Sequence, residues 1–160
     1  AVQSEAERAA DIVILAVPFP AISDVLTARG AGLAGRIVVD ITNPLDFATF
    51  DSLTVPADSS ATAAIASALP ESRVLKAFNT TFAATLAAGT VGPLTTTVLI
   101  AGDDAEAKAA LAQVVTDGGL AAIDAGGLRR ARELEAQGFL QITLAAAEKI
   151  SWTGGFGVAA

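Results

Sequence analysis

Short, unbroken apolar runs alternate along the chain with Ala-rich segments of helical period, and this alternation predicts strand, helix, strand in repeated order. Ile12-Val13-Ile14-Leu15-Ala16-Val17 is a continuous, largely β-branched run of the kind buried on both faces of a sheet. Pro18 stops it, Pro20 is placed to open a helix, and Ile22, Val25 and Leu26 recur at helical spacing until Gly30. Arg36 to Ile41 forms a second buried strand, which Thr42-Asn43-Pro44 breaks. Leu45 to Asp58 has mixed polarity without a period and reads as loop. Ser59 or Ser60 caps a helix from Ala61 to Leu69, and Pro70 stands where it stops. Arg73 to Phe78 is the third strand; Asn79-Thr80-Thr81 ends it, and a short helical piece reaches Ala88. Thr95 to Ala101 is the fourth. Asp103 or Asp104 then caps Ala105 to Thr116, with Leu111, Val114 and Val115 as its apolar stripe, and Gly118-Gly119 leads into a short strand, Leu120 to Asp124. The last helix is expected from Leu128 to Ser151, and Ser4 to Ala10 reads as the end of an earlier one.

This order specifies an α/β fold: a Rossmann-like, doubly wound, mainly parallel sheet with a long C-terminal helix. Ligands of open sheets sit beyond the carboxyl ends of the strands. Attention therefore falls on Ala16-Val17-Pro18-Phe19, on Asp40 to Pro44 and on Phe78-Asn79-Thr80.

Composition narrows the chemistry. With 52% hydrophobic and 17% charged residues among 160, the chain can build a compact core. Ten Lys and Arg against seventeen Asp and Glu leave a net charge of -7, and the densest basic cluster is only Arg129, Arg130 and Arg132, so no nucleic-acid surface is expected. No apolar run approaches the ~20 residues of a bilayer span, so no membrane partner is expected. The lack of Cys suits a cytoplasmic location. The chain also has no His and no Tyr, which removes Ser-His-Asp triads, thiol nucleophiles and an ordinary zinc site, together with the usual imidazole and phenol proton donors. An enzyme made from this set leaves the hard chemistry to a cofactor and needs no catalytic side chain of its own. There is no Met, and the chain opens inside a helix-like pattern, so the natural N-terminus is expected to lie elsewhere.

Six segments, "ADIVILAVPF", "RIVVDITNPLD", "RVLKAFNTTFAATL", "IAGDDAEA", "DAGGLRRARELE" and "WTGGFG", occur in an order that resembles the family of F-420-dependent NADP reductases and their oxidoreductase relatives. The resemblance spans nearly the whole chain. It implies a Rossmann fold, NADP binding and hydride exchange with a deazaflavin, coenzyme F-420. It further implies an NADP-binding part at 1–125, a C-terminal helical segment at 126–160 that borders the deazaflavin, and a homodimer formed through the last helix. The family's opening strand and Gly-rich phosphate loop have no counterpart here, and a sheet without that strand is expected to expose an edge.

By the same resemblance Ala16, Val17, Pro18 and Phe19 border the dinucleotide, although Phe19 equally suits the core. Asn43 and Pro44 match the turn facing the nicotinamide amide, yet Asn before Pro is also an ordinary turn former. Asn79, Thr80 and Ala83 match the next strand-end contact, against the alternative that Asn79 or Thr80 caps a helix. Phe156 and Gly157, with Gly154 and Gly155, match the deazaflavin side, where glycines admit close backbone approach; a plain flexible tail would use the same residues. Arg132 and Glu135 share a helix face and are expected to have a structural role, in a salt bridge or a partner contact, and Asp103 and Asp104 to cap rather than catalyse. Two other functions use the same strand ends: a non-catalytic NADP(H)-binding or sensing module, and an NADP-dependent imine or hydroxyacid reductase. The last would need a proton donor, for which Lys76 and Lys149 are the candidates.

Overall fold

A computed structural model describes residues 10–159 of the chain. The helix end expected at Ser4 to Ala10 lies almost wholly outside them. Among the described residues seven strands and five α-helices occur in the order β1 (Ile12–Leu15), α1 (Ile22–Arg29), β2 (Ile37–Asp40), α2 (Ala61–Ala68), β3 (Arg73–Lys76), α3 (Ala83–Ala88), β4 (Thr90–Val91), β5 (Leu94–Thr95), β6 (Thr97–Ala101), α4 (Ala105–Asp117), β7 (Ala121–Gly126) and α5 (Ala131–Ala146). Five of the strands form one sheet in the order β1-β2-β3-β6-β7. All its neighbours run parallel except β3 and β6, which meet antiparallel through Lys76 and Ala101. The sheet is thus mainly parallel, as expected.

Two apolar layers cover the two faces. On one, α1 and α2 pack Ile22, Ile65 and Leu69 against Leu15, Val38 and Val74. On the other, Ala107, Leu111 and Val115 of α4 lie on Ile37, Val39, Leu75, Val98 and Ile100. Both predicted caps form: Ser60 accepts the amide of Ala63 at 3.0 Å, and Asp104 that of Ala107 at 2.7 Å. Asp103 braces the next connection instead, accepting from Leu128 N at 2.8 Å.

Several expectations are corrected. The strand predicted over Ile12 to Val17 ends at Leu15; it lies at an edge of the described sheet, as the lack of a neighbouring strand leads one to expect, and there Ile14 is 49% exposed whereas every residue of β2 is buried. The strand predicted from Thr95 is divided. Leu94–Thr95 folds back on Thr90–Val91 across Gly92, whose φ is +57°, and the chain enters the sheet only at Thr97. In α4 the stripe is Ala107, Leu111 and Val115, while Val114 is 57% exposed, one position off the buried face. The last helix stops at Ala146, short of Ser151: Glu148 adopts φ +57° and Lys149 N returns to Leu144 O at 2.9 Å, closing the helix without a glycine.

Candidate functional site

The parallel register aligns Leu15, Asp40 and Lys76, so the segments that follow β1, β2 and β3 emerge on one edge of the sheet. Beneath that edge lies a buried ionic cluster. Lys76 Nζ donates to Asp40 Oδ2 at 2.9 Å and to Thr42 O at 2.6 Å, and stands 3.1 Å from Glu135 Oε1. The ammonium thus makes two hydrogen bonds and one close ion pair, all to groups inside the cluster. The two carboxylates outnumber the single cation, and the amides opening α2 offset the excess: Ala61 N reaches Glu135 Oε2 at 3.0 Å and Thr62 N reaches Oε1 at 3.3 Å. Thr62 Oγ1 donates to Asp40 Oδ2 at 2.7 Å. Asp40 Oδ1 accepts from Thr42 N at 2.8 Å. Thr42 is consequently gripped through both its N–H and its C=O, which fixes the backbone immediately before Asn43.

Asn43 and Asn79 are brought together. Asn43 Nδ2 donates to Asn79 O at 3.1 Å, and Asn79 Nδ2 donates to Asn43 Oδ1 at 3.0 Å and to Leu134 O at 2.8 Å. Asn79 therefore does not cap a helix, and neither does Thr80; α3 begins after Phe82, whose side chain offers no cap. The turn out of β3 is tight: Phe78 holds φ +63°, an uncommon value for a bulky residue, and Asn79 N bonds Ala77 O at 2.8 Å. Helix α5 can lie against this pair only because position 138 is glycine. A Cβ there would stand 2.3 Å from Asn43 Oδ1 and 3.0 Å from both Asn79 Nδ2 and Asn79 O. Two buried side-chain atoms at these strand ends, Thr42 Oγ1 and Asn79 Oδ1, have no hydrogen-bond partner.

The remaining predicted residues are distributed as follows. Ala16 and Pro18 are exposed and Val17 half-buried on the shared edge. Phe19 is half-buried against the core beneath α1 and α2 and lines a 360 Å³ apolar groove with Pro20, Leu26 and Ile65, so much of its ring is committed to packing. Pro44 is buried and Ala83 exposed. Phe156, 40% exposed, is tied to Thr80 through Gln141. Past Pro44, Asp46 braces the loop; bonds from the Ala48 amide and the Thr49 hydroxyl hold its carboxyl below the ordinary carboxylate range.

Glu135 has the structural role expected of it, though through Lys76 rather than Arg132, and the exposed pair at the start of that helix is Arg130 with Glu133. Lys76 does not suit a proton donor: it is wholly buried and engaged with Asp40, Thr42 and Glu135, and Lys149 is exposed beyond α5. Thr62, Gly138 and Gln141 escaped sequence reasoning, and Asp40 was marked only as part of a strand-end segment. A signal existed for Asp40 and Lys76, charged residues at the ends of apolar strand runs; none pointed to Thr62.

Residues 1–44 match the family model described as NADP oxidoreductase, coenzyme F420-dependent. The F420-dependent NADP reductase of Methanocaldococcus jannaschii is 32% identical over 154 residues, covering 94% of this chain and 69% of that protein. Metalloreductase STEAP3 of Rattus norvegicus is 34% identical over 134 residues, which is 84% of this chain but 26% of that protein. Among solved structures, one described as an F420-dependent NADP-reductase from Arthrobacter sp. FB24 superimposes with a TM-score of 0.83 at 31% identity, covering 94% of this chain and 70% of its own. The hypothetical protein SMa0349 of Sinorhizobium meliloti gives 0.67 at 35% identity, over 74% of this chain and 58% of its own.

Proposed function

The chain belongs to the family of F420-dependent NADP reductases, and on that premise we propose that it transfers a hydride between NADP(H) and the deazaflavin coenzyme F420 or a similar flat electron carrier. The observation that carries this reading is the locked pair Asn43 and Asn79 at the common strand-end edge, of which Asn43 is the half-buried member. A nicotinamide carboxamide brings both donors and an acceptor, and the second N–H of Asn43 Nδ2, which makes one bond to Asn79 O, is the group at that edge able to meet its oxygen. When bound, the two coenzymes supply the hydride donor and acceptor. The chain's part is alignment: Ala16, Val17, Pro18 and Phe19 border the dinucleotide, Asn43 and Pro44 with Asn79, Thr80 and Ala83 orient the ring, and Phe156 and Gly157 wall the carrier's side. Small or apolar groups there exclude water and hold the reacting atoms close, which is the larger share of what such a transfer needs.

In this reading residues 1–125 form the NADP-binding unit and residues 126–160 contribute to the carrier site and to a homodimer. The outward side of α5 supports the latter, because Leu140 is half exposed there with Ala136. Light scattering at micromolar concentration is expected to give twice the chain mass; a monomer mass counts against the interface. A cytoplasmic location is part of the same reading.

Calorimetric titration with NADPH and with NADH is the direct test, followed by NADPH oxidation with deazaflavin, flavin and quinone acceptors. Preferential NADPH binding with deazaflavin-dependent oxidation is the expected outcome. Binding without turnover on any acceptor would replace the proposal with a sensing module.

A further inference from the structure

Gln141 is 2% exposed on the inward face of α5, and a buried amide is costly unless bonded. Its Oε1 accepts from Phe156 N at 2.8 Å, and its Nε2 donates to Thr80 O at 3.3 Å. One side chain thus joins the C-terminal segment to the turn leaving β3. Gly155 makes this possible: its φ is +127°, and a Cβ there would stand 2.8 Å from Gln141 Oε1. On either side of this clamp, Trp152 lies 5.0 Å from Phe82 between ring centroids, and a Cβ on Gly157 would meet Leu94 Cδ1 at 2.8 Å. Among the described residues no backbone-to-backbone hydrogen bond ties residues 152–159 to another element.

The clamp has a consequence for the surface. Phe156 is 40% exposed and Trp152 51% exposed, so the segment presents aromatic rings to solvent just beyond the strand-end edge. Exposed rings held at fixed positions suit a flat aromatic ligand, which gains from offset or edge-on ring contacts. Without Gln141 the Phe156 ring would ride on a segment carrying Gly154, Gly155 and Gly157, anchored only where Trp152 meets Phe82.

We propose that Gln141 is a positioning residue which fixes Phe156 against the Thr80 turn and thereby sets affinity for the flat carrier rather than for NADPH. The inference rests on the functional reading above, but its first readout does not. Trp152 is the only tryptophan, so its emission reports the segment directly. In Gln141→Met, which keeps the buried volume and removes both bonds, acrylamide quenching of Trp152 is expected to rise, and the ratio of the carrier's KM to that of NADPH to rise about tenfold, near 1.4 kcal/mol. Gly155→Ala, which displaces the segment from the opposite side, is expected to reproduce both effects and decides the matter should Gln141→Met fail to fold. Unchanged quenching in a folded variant would overturn the clamp. Increased quenching with equal changes in both KM values would overturn the assignment to the carrier. A wild-type chain inactive with every carrier would defeat the functional reading alone, since the quenching comparison would still stand or fall separately.

Discussion

Replacing Lys76 with methionine is expected to lower the free energy of unfolding by about 3–5 kcal/mol, because it strands two carboxylates inside the protein. Asp40 and Glu135 are both buried, and each has Lys76 Nζ within 3.1 Å or less. Methionine fills comparable space, so the loss arises from the missing charge and the missing donors, with little from a cavity. The amides of Ala61 and Thr62 still reach Glu135, and Thr42 N still reaches Asp40, but Thr42 O loses its donor. Domains of this size are commonly stable by about 5–15 kcal/mol, so the loss should be plain in a denaturant titration. The exposed pair Arg130 and Glu133, 3.7 Å apart, supplies the contrast: Arg130→Met should change stability by less than about 0.5 kcal/mol. A loss below about 1 kcal/mol for Lys76→Met would mean that solvent reaches the cluster and that the burial argument fails.

That cluster also marks where legibility from sequence ended. Strands β2 and β3 were readable because runs such as Ile37-Val38-Val39 suit only a sheet covered on both faces, and the family's motifs marked the turns beyond them. The caps at Ser60 and Asp104 were readable because capping is a local hydrogen bond within one turn. The two-residue strands β4 and β5 carry too little periodicity to register, and their pairing rests on one tight turn at Gly92. Helix α5 ends on a left-handed glutamate, for which composition gives no stop signal. The Lys76, Asp40 and Glu135 contacts join β2, β3 and α5, and only the fold brings those elements together. In α5 itself a partial signal was present: Glu135, Gly138 and Gln141 fall on the same face as Leu134 and Ala145, and a buried helix face carrying polar residues and a glycine means that something polar approaches it closely.

Gly138→Ala is expected to unlock the strand-end pair and to weaken NADPH binding about tenfold, or 1.4 kcal/mol. Two opposing effects set the outcome for stability. Alanine favours a helix interior over glycine by about 1 kcal/mol, whereas forcing a methyl into a packed site costs about 1–3 kcal/mol. The second prevails here, because the new Cβ would stand 2.3 Å from Asn43 Oδ1 and 3.0 Å from the backbone oxygen of Asn79, and α5 is anchored on the same side through Glu135 and Gln141. Relief must come from Asn43, the one short side chain free to rotate away, and its rotation breaks the bond from Asn79 Nδ2. A double-mutant cycle isolates this. Asn43→Ala removes the opposing atom, so the combined variant Asn43→Ala/Gly138→Ala should be more stable than the sum of the single changes predicts, by about 1 kcal/mol or more. Calorimetry with NADPH on the same four proteins completes the cycle: Gly138→Ala should add little once Asn43 is gone. Additive losses in both measurements would show that helix α5 moves as a body to admit the methyl, and that the Asn43 and Asn79 pair is not what glycine at this position preserves.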